Sequence, residues 1–121
     1  YIVKMVAGVE QGKWIIWGIH YLDQGLVGSI CLWNFSGPPA KADLGYELLP
    51  PFERKGIMTE AMRLVISFGF DRLHLQQIEA EVAPANAPSI RLLEKFGFHI
   101  ASQKDAPLQR YVLAHPNFPG R

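Results

Sequence analysis

One segment of the sequence joins two cations and a glycine to the start of an amphipathic helix. It is the run ERKGIMTEA, from Glu53 to Ala61. A helix entered through a glycine presents unpaired backbone N–H groups and the positive end of its dipole, and Arg54 and Lys55 add charge nearby. These features favour a phosphate-binding turn at Gly56. The alternative is that Gly56 only turns the chain and that both cations are solvated.

Other kinds of binding site find little support in the sequence. No GxGxxG motif follows the first strand and no GxxxxGK[ST] motif occurs, which argues against ordinary dinucleotide and nucleoside triphosphate sites. The 12 Lys and Arg residues are scattered and offset by 11 acids, so we expect no nucleic-acid partner. The four histidines, His20, His74, His99 and His115, share no metal-ligand spacing, and we expect no metal.

The composition predicts one soluble domain. The 121 residues are 49% apolar and 19% charged, which suits a chain that buries a single core. Cys31 is the only cysteine, which excludes an intramolecular disulfide and favours a reducing cytoplasm. No apolar run is long enough for a membrane helix and no signal peptide is visible, so we expect a cytoplasmic protein without a membrane partner. We expect the domain over residues 1–114 and a flexible tail over residues 115–121.

The elements that must position the glycine turn are predicted to form an α/β (α+β) fold, a mixed, mostly antiparallel sheet flanked by helices. Three antiparallel strands are predicted from β-branched and aromatic residues between turns, at Lys13–Tyr21, Leu26–Phe35 and Asp43–Leu49. From Gly56 the apolar residues recur at three and four residue spacing, which predicts an amphipathic helix that ends near Gly69. Residues 1–8 are interpreted as the last turns of a helix whose beginning is missing, and we expect a fragment.

The second half of the chain completes the predicted sheet. Gln77–Val82 follows a helix and is expected to pair in parallel with an earlier strand. Ser89–Phe96 is predicted as a short helix that Gly97 closes in a left-handed C-cap. Phe98–Ser102 and Arg110–Ala114 are predicted as the final two strands.

Three separated segments together resemble a known family. They are Gly45-Tyr46-Glu47-Leu48, the run ERKGIMTEA, and the run NAPSIRLLEKFGF from Asn86 to Phe98. In this order and spacing they resemble the GNAT superfamily of acyl-CoA-dependent N-acetyltransferases, particularly the RimJ/RimL-like branch that modifies protein N-termini. The resemblance covers most of the chain. It implies acetyl-CoA as the cosubstrate and an amine as the acceptor.

The resemblance implies where acetyl-CoA binds. The strand over 43–49 splays away from the strand over 77–82, and the pantetheine arm lies in the gap, held by the backbone of Leu48 and Leu49. The pyrophosphate is cradled by the backbone amides of Arg54, Lys55, Gly56, Ile57, Met58 and Thr59. Glu53 stands where the family usually has Gln or Arg, and its carboxylate is expected to face away from phosphate. Met58 stands where Gly or Ala is usual.

The resemblance also implies a proton donor for the departing thiolate. Many family members use a Tyr in the second helix, and the corresponding position here is Leu93. Ser89 lies one turn earlier, resembles a serine given this role in RimL-like enzymes, and is the replacement candidate. The alternative is that Ser89 helps to cap the helix.

Tyr46, Glu47 and Asn86 are the remaining candidates. Acyl transfer needs a neutral amine, so a base or water must take a proton, and Glu47 beside the expected thioester is the candidate base. Strand alternation places Glu47 on the face opposite Tyr46 and Leu48. The alternative for Glu47 is a solvated strand carboxylate. Tyr46 either packs in the core or lines the acceptor pocket, and Asn86 either binds the pantetheine arm or forms an Asx-turn.

The sequence therefore predicts direct transfer of acetyl from acetyl-CoA to a primary amine, such as a protein N-terminus. A backbone N–H near Glu47 or Leu48 is expected to polarise the thioester oxygen. Polyamines, aminoglycosides and free amino acids stay open as acceptors. A CoA-binding module without catalysis and a structural domain without CoA are alternatives from other classes. A homodimer is compatible with the sequence.

Overall fold

The computed structural model describes residues 3–10, 14–53, 56–102 and 107–117 of the chain. Within these ranges lie seven strands, two α-helices and two short 3-10 turns, Pro50–Phe52 and His115–Asn117. The strands are β1 Val3–Glu10, β2 Trp14–Tyr21, β3 Leu26–Ser36, β4 Lys41–Leu48, β5 Gln77–Val82, β6 His99–Ser102 and β7 Gln109–Ala114, and the helices are α1 Ile57–Asp71 and α2 Ala87–Lys95.

The strands form one sheet in the order β1-β2-β3-β4-β5-β7-β6. Neighbouring strands are antiparallel except β4 and β5, which run parallel because α1 connects them as a crossover. The sequence predicted a mixed, mostly antiparallel sheet with flanking helices, and this prediction is confirmed.

The start of the chain corrects the sequence interpretation. The sequence predicts the end of a helix over residues 1–8, but Val3–Glu10 is a strand, paired antiparallel with β2. Val3, Val6 and Val9 suit a strand because their β-branched side chains favour extended backbone. Backbone hydrogen bonds to β2 outweigh the local helical preference of the residues between these valines.

The segment predicted as a flexible tail begins with a turn. His115–Asn117 is a 3-10 turn, and the His115 N–H donates to the Gln76 carbonyl oxygen at 2.9 Å. The His115 ring meets the Phe70 ring edge to face, with the centroids 5.1 Å apart. Residues 118–121 of the predicted tail lie outside the described residues.

The main hydrophobic core lies between α1 and one face of the sheet. Alternation along the strands turns Leu32, Leu44 and Ile78 to this face, where each is buried. Gly69 of α1 permits close packing, because a Cβ there would lie 3.2 Å from the Ile78 side chain. This packing holds α1 against the sheet, with the N-terminus of α1 near the carboxyl ends of β4 and β5.

The parallel ladder between β4 and β5 is short. Its last rung joins Asp43 to Glu79. β4 continues to Leu48 and β5 to Val82, and no further rung links these described stretches. The two strands therefore diverge and leave a gap between their carboxyl ends, as the resemblance implies. Backbone groups that face the gap have no strand partner across it.

Candidate active site

A cavity of about 1020 Å³ occupies the gap between β4 and β5 and extends past the beginnings of both helices. The strand residues that line it come from β3, β4 and the end of β5, and the helix residues come from α1 and α2. The lining consists of Trp33, Asp43, Leu44, Gly45, Tyr46, Glu47, Leu48, Glu53, Gly56, Met58, Thr59, Glu81, Val82, Ala83, Asn86, Pro88, Ser89, Arg91, Leu92, Lys95 and Leu108.

Most residues that the sequence singled out line this one cavity. They are Tyr46, Glu47, Leu48, Gly56, Met58, Thr59, Asn86 and Ser89. The side chains of two others are not in its lining. The Ile57 side chain is fully buried in the core, although its backbone N–H belongs to the first turn of α1, and the Leu49 N–H donates to the Val27 carbonyl oxygen at 2.9 Å. Arg54 and Lys55 lie outside the described residues.

The N-terminus of α1 opens onto the cavity. Gly56 is the N-cap residue, with φ 77° and ψ 2°, a left-handed conformation that glycine adopts without strain. In the part of the chain that the structure describes, no side chain caps this helix. The first-turn N–H groups of an α-helix have no partner within the helix, so the first turn from Ile57 to Thr59 presents donors and a positive dipole end to the cavity.

The N-terminus of α2 is capped by a side chain. Asn86 is the N-cap residue, and its Oδ1 accepts a hydrogen bond from the Ser89 N–H at 3.3 Å. Of the two roles that the sequence left open for Ser89, the capping role therefore belongs to Asn86. The other end of α2 closes as predicted, because Gly97 has φ 97° and its N–H donates to the Glu94 carbonyl oxygen.

Tyr46 and Ser89 meet at the boundary between β4 and α2. Their hydroxyl groups are hydrogen-bonded, although 43 positions separate them in the sequence. Tyr46 lies on the core-facing side of β4, since its partner across the ladder is the fully buried Ile30. Burial raises the pKa of the Tyr46 phenol, and the hydrogen bond with Ser89 offsets part of that rise. The phenol is therefore protonated at neutral pH.

Glu47 lies on the opposite side of β4, as strand alternation predicts. Its ladder partner is Ser29, its side chain is exposed, and it lines the cavity. Trp33 and Asp43 line the cavity from the same face of the sheet. Cys31 lies nearby on this face, and its thiol pKa is raised, first by burial and then by the negative charge of Glu47, while a hydrogen bond with the Gly45 backbone acts to lower it.

A network of charged side chains lies at the point where β4 and β5 diverge. Arg110 of β7 donates to Asp43 at 3.2 Å, to Glu79 at 2.5 Å and to Glu81 at 2.9 Å, and Lys41 lies 3.6 Å from Glu79. Burial acts to lower the pKa of Arg110, but the hydrogen bonds and charges of Glu79 and Asp43 raise it overall. Sequence reasoning missed this network. The alternation of Glu79 and Glu81 along β5 was the available signal.

Two cations of α2 were also missed. Arg91 and Lys95 line the cavity together with Pro88 and Leu92, a spacing of three, four and seven residues that marks one helix face. They place positive charge in the same cavity as the N-terminus of α1. The spacing was readable in the sequence, since Ser89 and Asn86 already pointed to the start of this helix.

Leu93 stands at the position where the resemblance implies a tyrosine in many family members, and its side chain is fully buried in the core. No acidic hydrogen is available there. Among the described residues, no group of three or more His, Cys, Asp or Glu side chains is arranged to hold a metal ion. No described helix has the length and apolar character needed to cross a membrane.

Comparison with curated proteins finds relatives in Bacillus subtilis (strain 168). The chain is 46% identical over 78 residues to the probable N-acetyltransferase YjcK, which covers 64% of this chain and 43% of YjcK. Over 112 residues it is 36% identical to the uncharacterized N-acetyltransferase YoaA, which covers 92% and 61%. Over 81 residues it is 37% identical to the putative ribosomal N-acetyltransferase YdaF, which covers 67% and 44%. The chain thus spans about half the length of these relatives.

Solved structures share the fold. A probable acetyltransferase superposes with a TM-score of 0.79 at 30% identity, over 88% of this chain and 64% of the other. Mycobacterium smegmatis RimJ in complex with CoA-disulfide gives 0.78 at 24% identity, over 89% and 56%. Campylobacter jejuni PseH in complex with acetyl coenzyme A gives 0.73 at 19% identity, over 87% and 70%. The family model described as Acetyltransferase (GNAT) domain matches residues 2–99. Because this match covers most of the chain, the protein belongs to the GNAT acetyltransferase family.

Proposed function

We propose that the protein is an acetyl-CoA-dependent N-acetyltransferase that transfers acetyl directly to a primary amine. The observation that carries the proposal is the gap between β4 and β5, which begins after the rung from Asp43 to Glu79 and opens into a cavity beside the N-terminus of α1. Membership in the GNAT family supports the same reaction.

The cavity fits the chemistry of CoA. The pantetheine arm carries amide groups, and the unpaired backbone edge of β4 toward Leu48 offers complementary donors and acceptors. The diphosphate is an anion that suits the amides from Ile57 to Thr59, and Arg91 and Lys95 add positive charge. Glu53 lines the same cavity, and its negative charge would oppose phosphate binding there.

The proton acceptor and the proton donor of the proposed reaction lie on opposite faces of β4. Glu47, or a water that it orders, takes a proton from the amine on the exposed face. A backbone N–H at Glu47 or Leu48 polarises the thioester carbonyl. Ser89 lies on the helix side of β4, where it protonates the departing thiolate. The amine attacks the thioester directly, so no covalent enzyme intermediate is needed.

A protein N-terminus is the acceptor that we propose first. The name of YdaF, a putative ribosomal N-acetyltransferase, supports this choice. Trp33, Asp43 and Glu47 on the exposed face of the sheet would contact the acceptor, because this face meets the cavity on the side away from α1. The exposed carboxylate of Glu47 would attract a cationic amine and is the candidate base for it, whereas the Asp43 carboxylate is paired with Arg110.

The test measures free thiol released from acetyl-CoA in the presence of peptides with different N-termini, spermidine, an aminoglycoside and free amino acids. Calorimetry with acetyl-CoA is run beside it. We expect micromolar binding and turnover with at least one amine. Binding without turnover supports a CoA-binding module instead, and absence of binding removes CoA from the function altogether.

A further inference from the structure

The hydrogen bond between Tyr46 and Ser89 joins side chains of β4 and α2, and it does not serve to cap α2. The N-cap of α2 is supplied by Asn86, so the Ser89 hydroxyl is not needed there. Tyr46 comes from a different element and reaches the cavity lining from the core side of β4. Both hydroxyl groups therefore lie at the same point of the cavity wall, on the side of β4 away from Glu47.

The chemistry of the two groups gives the bond a direction. A serine hydroxyl has one donor and two acceptor positions, so Ser89 can accept a hydrogen bond and still donate to a third group. A phenol with an ordinary pKa of about 10 is a far stronger acid than an aliphatic alcohol. When Ser89 donates its hydroxyl proton to another group, the Tyr46 phenol is therefore the group best able to reprotonate it.

We infer that Tyr46 is the proton source behind Ser89 in the release of CoA, a role that rests on the proposed acetyl transfer. As the amine nitrogen bonds to the acyl carbon and the C–S bond breaks, the sulfur takes the Ser89 hydroxyl proton. Ser89 takes the phenol proton of Tyr46 at the same time, and water in the cavity returns a proton to the phenolate. The amine loses one proton to Glu47 or water, so the protons balance.

No acid comes from Leu93 of α2, whose side chain is fully buried in the core. The phenol comes instead from β4, and the Ser89 hydroxyl to which it is hydrogen-bonded lies beside it in the cavity wall. Tyr46 acts through Ser89 and is therefore a positioning residue and proton reservoir. Burial keeps its phenol neutral at working pH, so the proton is present when the thiolate leaves.

The test compares Tyr46→Phe, Ser89→Ala and the double variant with the parent protein in the thiol-release assay. General acid catalysis contributes about 10²–10⁴-fold, so we expect each single variant to lower kcat by at least about tenfold. The double variant should be no slower than the slower single variant, because both substitutions break one path. The KM and Kd for acetyl-CoA should change by less than twofold.

Two further variants separate chemistry from packing. Ser89→Thr keeps a hydroxyl and should retain most of the activity that Ser89→Ala loses. Tyr111→Phe removes a hydroxyl from a buried tyrosine of β7 outside the cavity lining, and it should leave kcat unchanged. The parent kcat should also fall in D₂O, and Tyr46→Phe should reduce that solvent isotope effect.

The outcomes distinguish the inference from the proposed function. Turnover by the parent with an unchanged kcat in Tyr46→Phe overturns the inference alone. So do multiplicative losses in the double variant, or a rise in the KM for acetyl-CoA without a fall in kcat. A parent protein that turns over no amine in the panel overturns both.

Discussion

Arg110 of β7 donates to the carboxylate of Asp43 on β4 at 3.2 Å, across the intervening strand β5. Asp43 belongs to the last rung of the parallel ladder, and the same guanidinium donates to its partner in that rung, Glu79. One side chain thus ties three strands together at the point where β4 and β5 part. The position of this point sets the width of the gap that would receive the pantetheine arm.

Arg110→Ala should therefore weaken both folding and acetyl-CoA binding. The side chains of Asp43 and Glu79 are only 16% and 10% exposed, and after the substitution Glu79 keeps Lys41 at 3.6 Å whereas Asp43 loses its ion-pair partner. Removing the partner of a partly buried charge costs about 2 kcal/mol or more in unfolding free energy. Urea denaturation measures this loss, and calorimetry should show a raised Kd for acetyl-CoA.

The matched control is Arg63→Ala, which removes an arginine from the exposed face of α1. Arg63 pairs with Glu60 at 2.8 Å, three residues away. Exposed pairs of this kind contribute about 0.2–0.5 kcal/mol, so the control should change little. If Arg110→Ala and Arg63→Ala lost equal unfolding free energy and equal acetyl-CoA affinity, the network at Asp43 would have no particular role in stability or binding.

Gly56 offers a test in which helix stability and ligand affinity move in opposite directions. Asn and Asp both tolerate the left-handed backbone that Gly56 adopts, and they have nearly the same shape. The Asp carboxylate favours a helix N-terminus but repels phosphate. Gly56→Asp should therefore be at least as stable as Gly56→Asn in thermal unfolding, yet bind CoA about tenfold more weakly. Equal CoA affinities would place the diphosphate elsewhere.

Arg91 and Lys95 should contribute to CoA binding through charge. Alanine at either position should raise the Kd for CoA by about threefold to tenfold at low ionic strength, and by less at 0.5 M salt, because salt screens exposed charges. Arg63→Ala serves again as the control, since Arg63 is an exposed cation of α1 outside the cavity lining. A loss that does not depend on salt would point to altered packing of α2 instead.

The reactivity of the Cys31 thiol depends on the charge of Glu47, because that charge contributes to the raised pKa of Cys31. The thiolate is the reactive form of cysteine, and the raised pKa of Cys31 means that iodoacetamide should modify it more slowly at pH 8 than it modifies a free cysteine. Glu47→Gln removes a negative charge that raises this pKa, so alkylation should become faster. Mass spectrometry follows the rate, with urea-unfolded protein as the reference. An unchanged rate in Glu47→Gln would show that the Glu47 carboxylate does not act on this face.

Local signals account for the parts of the fold that the sequence predicted. The glycines at the start of α1 and the end of α2 have positive φ, and the apolar spacing after Gly56 continues along α1 to Asp71. These features depend on neighbours within one turn of helix, so the sequence carries them directly. β1 was mispredicted because it depends on pairing with β2, which no local pattern contains.

The candidate site shows the same division. The resemblance brought Glu47, Gly56 and Ser89 to one cavity, and the structure places all three in its lining. The contact between Tyr46 and Ser89 depends on how α2 packs against β4, and the Arg110 network depends on strand order. Both are tertiary facts, so the sequence left the role of Tyr46 open between core and pocket.

Leu93 allows a direct test of whether a tyrosine on α2 could restore the acid in this protein. The Leu93 side chain is fully buried, so Leu93→Tyr forces a larger side chain and an unpaired hydroxyl into the core, at a cost of about 1–3 kcal/mol in unfolding free energy. Leu92 lines the cavity from the adjacent position and is only partly buried against the core, so Leu92→Tyr should cost less unfolding free energy than Leu93→Tyr.

The two tyrosine variants are then combined with Ser89→Ala. Because residue 92 faces the cavity and residue 93 the core, we expect Leu92→Tyr to recover part of the lost kcat and Leu93→Tyr to recover none. Urea denaturation and thiol release from acetyl-CoA measure the two effects separately. Full recovery by Leu93→Tyr without loss of stability would mean that α2 rotates in solution to bring residue 93 into the cavity, and the pairing of Tyr46 with Ser89 would then be one of two arrangements.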